Sequence, residues 1–230
     1  VAGLGGGLAI DLAVDLTLSG CTFEGNTAGS GGAVAISAAT ARLSGCSIRD
    51  NTATFGGGVC LLSALDAEII DTEILSNTAS SVGGGIYSGD GVYGIARSSI
   101  IGNSTSGDGG AMWLLGSTGL VTQTVIADNS AGGLAGGVFI DGSPTTVSSC
   151  ELTGNGLAIH VVGPARALAD ARYNWWGDES GPYHPTLNPT GLGDEVGDSV
   201  LFAPWNVVAG APELPGVIRA SWGVIKAIHR

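Results

Sequence analysis

Six asparagines divide the chain into equal lengths. Asn26, Asn51, Asn77, Asn103, Asn129 and Asn155 follow one another at intervals of 25 or 26 residues. A fixed period in this range marks a stacked-repeat architecture. Such a chain folds as a solenoid in which equivalent residues of successive coils lie one above another.

The surroundings of each asparagine repeat too. Three residues earlier stands an apolar residue: Phe23, Ile48, Ile74, Ile100, Ile126 or Leu152. Eight residues earlier stands another: Leu18, Leu43, Ile69, Ile95, Val121 or Val147. Five earlier is a small one: Cys21, Cys46, Thr72, Ser98, Thr124 or Cys150. A hydroxyl residue follows the asparagine in the first five repeats (Thr27, Thr52, Thr78, Ser104, Ser130). Downstream come glycine pairs, among them Gly31-Gly32, Gly56-Gly57, Gly83-Gly84, Gly109-Gly110 and Gly136-Gly137. Three residues into these glycine runs lie Val34, Val59, Ile86, Met112 and Phe139, with Leu8 in the first coil.

Period-2 alternation in short runs bounded by Gly, Asn and Ser reads as strand, turn, strand. Three short strands per repeat make one coil, and parallel crossovers are right-handed. The expectation is an all-β, right-handed parallel β-helix of about seven coils over residues 1–163. At about 4.8 Å per coil the rod is about 35 Å long. Stacked asparagine amides, each with a donor and an acceptor, form a ladder along the turns. Glycine supplies bends that a Cβ would resist. Register is fixed, because a slip of one residue would turn the apolar set outward.

The pairing of Phe23-Glu24-Gly25-Asn26 with Gly31-Gly32-Ala33-Val34 resembles the polymorphic outer membrane protein repeat of chlamydial-type autotransporters. The resemblance covers about residues 5–155, with the Phe replaced by Ile or Leu in later coils. It implies a secreted or surface-exposed β-helix and carries little about activity.

Residues 164–205 depart from the repeat. They hold Tyr173-Asn174-Trp175-Trp176-Gly177, Gly181-Pro182, Asn188-Pro189-Thr190-Gly191 and Phe202-Ala203-Pro204-Trp205. This order resembles the terminal segment of many secreted bacterial and archaeal β-helix proteins. In physical terms it is a cap. An open last coil exposes unpaired strand edges; Trp175, Trp176 and Trp205 plug its apolar end, and prolines end the pairing. Residues 206–230 read as a linker with Pro212 and Pro215, then a tail. A short tail helix would place Ile225 and Ile228 on the side of Trp222. The tail either docks on the β-helix flank or serves as a sorting or assembly signal.

The net charge is −12, with Lys226 the single lysine. That argues against nucleic acid and anionic membranes, which need basic patches. No run reaches the 18 or so apolar residues of a transmembrane helix. An acidic, lysine-poor chain suits an extracellular or cell-surface location. The chain opens in mid-coil, which leads us to expect sequence upstream. Cys21, Cys46 and Cys150 share a column, Cys60 lies in another, and small inward filler is the favoured reading over a disulfide. Zinc is disfavoured by the absence of Cys-x-x-Cys or a His pair.

One outward column stands out: Ala9, Ala35, Cys60, Tyr87, Trp113 and Ile140. Tyr87 and Trp113 lie side by side there, either as a platform for sugar rings or a partner protein, or covered by a loop or the tail. The acidic stretch Asp178, Glu179, Asp194, Glu195 and Asp198 suits either calcium, which takes clustered oxygens, or solvent; the solvated loop is favoured. Catalysis on a polysaccharide needs carboxylate pairs, or a base with a cation, converging in adjacent coils. Glu24 and Arg49 are adjacent, but Leu75 and Ile101 continue their column. Asp50 and Asp128 lie three coils apart, as do Glu73 and Glu151. His160 and His184 show no acidic partner in register. The expected role is structural, adhesive or glycan-binding, without catalysis, cofactor or membrane span in this chain. The alternatives are a fragment of a polysaccharide lyase, hydrolase or epimerase, and an autotransporter-like passenger segment.

Overall fold

The computed structural model describes residues 3–12, 15–142, 144–163 and 169–210. The expected tail helix around Trp222, Ile225 and Ile228 lies outside them.

Each middle coil has four strands, not three. In the fourth coil these are Ile86–Gly89, Val92–Ala96, Ser99–Ile101 and Ser104–Thr105. The added strand is the short run after the asparagine, where Thr78 and Ala79 pair in parallel with Ser104 and Thr105 of the next coil. Coils stack into parallel sheets of nine, eight, six and four strands. The six-stranded sheet, from Thr22–Glu24 to Glu151–Thr153, sets about six full turns rather than the expected seven. The seventh is partial and merges with the cap.

The strands are short because four corners per coil sit in the left-handed region. The second corner column is Leu12, Ala38, Ser63, Asp90, Gly116 and Gly142; the third is Gly20, Gly45, Asp71, Arg97, Gln123 and Ser149. The fourth, immediately before each asparagine, is Gly25, Asp50, Ser76, Gly102, Asp128 and Gly154. Only the first is nearly all glycine: Gly5, Gly31, Gly56, Gly83, Gly109, then Ala135 at φ 56°.

Ala135 corrects the sequence reading. It occupies the corner that Gly109 fills one coil earlier: Gly109 N–H donates to Leu134 O and Gly110 N–H to Ala135 O. Gly136-Gly137 therefore falls one residue late. Met112 pairs with Val138 and Trp113 with Phe139. Val138 and Ile140 are the buried inward residues, and Phe139, not Ile140, joins the outward column.

The remaining inward columns stand as expected. Ile48, Ile74, Ile100, Ile126 and Leu152 are fully buried. At about 25 cal/mol per Å² of apolar surface, such columns dominate the favourable side of folding. Tyr93 is also inside. Its column runs Ala41, Ala67, Tyr93, Gly119, Thr145, and its hydroxyl lies 3.3 Å from Thr145 Oγ1, two coils on.

The cap pairs onto the stack instead of standing apart. Gly193–Val196 extends the nine-stranded sheet and Val200–Leu201 the eight-stranded one. Of the three tryptophans, only Trp176 is fully buried. Trp175 is half-buried and bridges Glu151. Trp205 is half-buried, packs against the core and donates its Nε1–H to Glu179 O at 3.2 Å.

Candidate functional site

The outward column of the nine-stranded sheet carries a run of rings from Tyr87 to His160, longer than expected, and Phe55 of the four-stranded sheet joins its end. Phe55, Tyr87, Trp113, Phe139 and His160 have successive ring centroids 5.8, 5.1, 6.2 and 5.7 Å apart. Tyr87 and Trp113 are stacked within 13°, Trp113 and Phe139 within 5°. Parallel register stacks the last four, because each ring is held one coil above the one before, whereas Phe55 reaches Tyr87 edge-on from the neighbouring sheet. Trp113 therefore has both faces covered by neighbours. Tyr87 and Trp113 are each half-buried, so the stack leaves ring edges to solvent. Phe55, 40% exposed, closes one end. Cys60, in register with Tyr87, is fully buried, and burial pushes its thiol up to about 12.

The asparagine row is a continuous ladder of 25- and 26-residue steps. Asn77 shows the unit: its N–H and Nδ2 both donate to Asn103 Oδ1, at 2.9 and 3.0 Å, and its Nδ2 also donates to Ile48 O. Its own Oδ1 accepts from the N–H and Nδ2 of Asn51. Every polar atom of a fully buried amide is thus used.

A second ladder runs down the small-residue column. The N–H groups of Cys46, Thr72 and Ser98 donate to the hydroxyls of Thr72, Ser98 and Thr124. Each hydroxyl donates in turn to the carbonyl two residues earlier. Asn174 of the Asn-Trp-Trp-Gly run ends this column, accepting from Cys150 N–H at 2.8 Å. The four cysteines are free thiols.

The expected acidic loop is distributed among separate jobs. Asp194 accepts from the N–H of Gly154, the N–H of Asn155 and Asn155 Nδ2. Asp178 holds the N–H and hydroxyl of Ser180, which lowers its carboxyl below the usual range. Asp198 lies 3.4 Å from Nε2 of buried His184, a pairing the register argument missed. Nδ1 of His184 accepts from Thr186 N–H and Leu187 N–H, so this dyad locks a turn. Among the described residues no group of three or more His, Cys, Asp or Glu could hold a metal ion.

The described arginines are spent on neighbours. Arg49 pairs with Glu24 and Arg97 with Asp71, each at 2.8 Å and across one coil. Arg42 pairs with Glu68 of the next coil, and Arg172 with Asp170. The Arg97 guanidinium holds Asp71 below the usual carboxylate range. Exposed pairs of this kind add little to stability, because solvent screens them. Their larger effect is to leave no described guanidinium outside an ion pair.

Residues 3–168 match the family described as right handed beta helix region. The chain belongs to that family. No curated protein and no solved structure matches it. Membership in the right-handed β-helix family agrees with the parallel coils and the inward columns above. It assigns neither a reaction nor a ligand, and no helix among the described residues is long and apolar enough to cross a membrane.

Proposed function

We propose that this β-helix is a non-catalytic structural and adhesive rod of a secreted or cell-surface protein. Its contact surface is the ring column centred on Tyr87 and Trp113. The observation that carries this reading is the use to which the chain puts its chemistry-bearing side chains. The amides, hydroxyls and guanidinium–carboxylate pairs described above chiefly join one coil to the next. The Phe-x-x-Asn and Gly-Gly-Ala-Val units, which resemble surface-protein repeats, support the location.

The ligand class follows from charge and ring geometry. With the described arginines paired and a net charge of −12, a polyuronate is repelled. A half-buried run of uncharged aromatic rings that includes a tyrosine and a tryptophan favours an uncharged glycan, or a partner protein. The test is a panel of neutral and acidic polysaccharides, read for binding and for ultraviolet-absorbing lyase products. Binding to a neutral glycan, weakened about tenfold or more by Trp113→Ala, is expected. Depolymerisation of any polysaccharide, or binding indifferent to Trp113→Ala, overturns the reading.

A further inference from the structure

Of the chain's asparagines, only Asn155 is followed by glycine. The others precede Thr, Ser, Trp, Pro or Val. An Asn-Gly bond is chemically the least stable of these. Glycine has no side chain to shield its own amide nitrogen, which can attack the side-chain carbonyl carbon before it. The fold places this one reactive bond at the last rung of the asparagine ladder.

One strand of the cap, Gly193–Val196, closes over it. Its Asp194 accepts from Gly154 N–H, Asn155 N–H and Asn155 Nδ2, and its Glu195 N–H donates to Gly156 O at 2.7 Å. The stack holds the rest of the amide. Asn155 Nδ2 donates to Ile126 O at 2.8 Å and Thr153 O at 3.2 Å, and Oδ1 accepts from the N–H and Nδ2 of Asn129. Asn155 is 6% exposed, while Gly156 beside it faces solvent. The carboxamide must leave the ladder before its Cγ can reach Gly156 N.

A carboxylate does not suit the same place. Nδ2 is met by three acceptors: Ile126 O, Thr153 O and Asp194 Oδ2. An oxygen there would set lone pair against lone pair on every side. It would also add a negative charge beside the Asp194 carboxylate.

We propose that Asn155-Gly156 is a deamidation site latched by the cap strand, and that its modification releases that strand from the stack irreversibly. When Gly193–Val196 lifts, Gly156 N bonds to Asn155 Cγ and the Cγ–Nδ2 bond breaks. The Gly156 amide proton leaves with Nδ2 as ammonia, and a cyclic imide remains. Water then opens the ring: its hydroxyl joins one carbonyl carbon and its proton goes to the nitrogen. Residue 155 becomes aspartate or isoaspartate, and water is the one co-reactant. Either product carries a carboxylate, so the strand does not seat again. This goes beyond the rod reading and is independent of the ring column.

The test ages the intact chain in mildly alkaline buffer, with and without denaturing urea, and follows deamidation by peptide mass. Local opening limits the native reaction, so residue 155 should react about tenfold or more slowly in buffer than in urea. Asp194→Ala, folded by circular dichroism, should speed the native reaction several-fold. Asn155→Asp, which is one of the two products, should lose slow amide exchange in Gly193–Val196 while Ile48, Ile74 and Ile100 keep theirs. Equal rates in buffer and urea overturn the proposal. So does a folded Asp194→Ala no faster than wild type, or an Asn155→Asp chain whose cap strand stays as protected as wild type. The comparison of buffer with urea needs no variant, so it decides even where Asp194→Ala fails to fold.

Discussion

Asp194 holds the end of the asparagine ladder: its Oδ2 lies 2.8 Å from the N–H of Asn155 and 3.0 Å from Asn155 Nδ2. It stands where a seventh asparagine would. Burial raises its carboxyl above the usual range, against three N–H donors that lower it; the nearby Asp128 charge adds to the rise. A carboxyl raised on folding contributes stability that is full below its unfolded pKa and is lost as pH rises through the folded value. Asp194→Asn supplies a neutral acceptor at the same place. Denaturant unfolding between pH 3 and 7 should show wild type losing stability relative to this variant as pH rises past the usual carboxylate pKa of 3.8. A difference that grows as pH falls contradicts this assignment.

Removing one rung inside the ladder should cost far more than its surface neighbour. Asn77→Ala leaves Asn51 N–H without its acceptor, takes the side-chain donor from Ile48 O, and leaves Asn103 Oδ1 with only the residue-77 N–H, all away from water. Each orphaned group costs about 1–3 kcal/mol, so a loss of about 3 kcal/mol or more is expected. The exposed neighbour Thr78→Ala should change stability by about 0.5 kcal/mol or less. Equal effects in the two variants would show that the ladder contributes little.

Gly119 leaves room for Tyr93. A Cβ at Gly119 would lie 2.3 Å from the Tyr93 ring, inside a core with no slack. Gly119→Ala should destabilise by about 1–3 kcal/mol. Adding Tyr93→Leu should recover part of that loss, because the two changes share one space. Strictly additive losses would place the ring elsewhere.

Ala135 carries strain that its column-mates avoid. A left-handed residue with a Cβ costs about 1–2 kcal/mol, partly offset by the greater freedom of an unfolded glycine. Ala135→Gly should therefore raise stability by about 0.5–1 kcal/mol in a thermal or urea titration. A decrease would mean that Ala135 is not in the corner.

The stack itself was legible because the asparagines recur at fixed spacing and because Ile48, Ile74 and Ile100 keep one phase. Phe139 was misplaced for a physical reason. Glycine pairs mark corners only while glycine holds the left-handed site, and there Ala135 holds it instead. That one-residue offset also hid the extension of the ring column beyond Trp113. Asp194 escaped notice because it joins the ladder from outside the period, with a different residue type and 39 residues on from Asn155. The fourth strand was missed because it is made mostly of small and hydroxyl residues, as in Thr52–Phe55 and Thr78–Val82, and shrinks to two residues at Ser104–Thr105 and Ser130–Ala131, so no apolar alternation marks it. His184 and Asp198 meet through the cap, where the repeat no longer predicts neighbours.

Hydrogen exchange of the side-chain carboxamides tests the ladder most directly. In a resolved ¹H–¹⁵N spectrum, the Nδ2 protons of Asn51, Asn77, Asn103 and Asn129 should exchange as slowly as the backbone amides of Ile48, Ile74 and Ile100. Exchange of those carboxamides at the rate of a solvent-exposed asparagine would contradict a rod joined coil to coil by its own side chains.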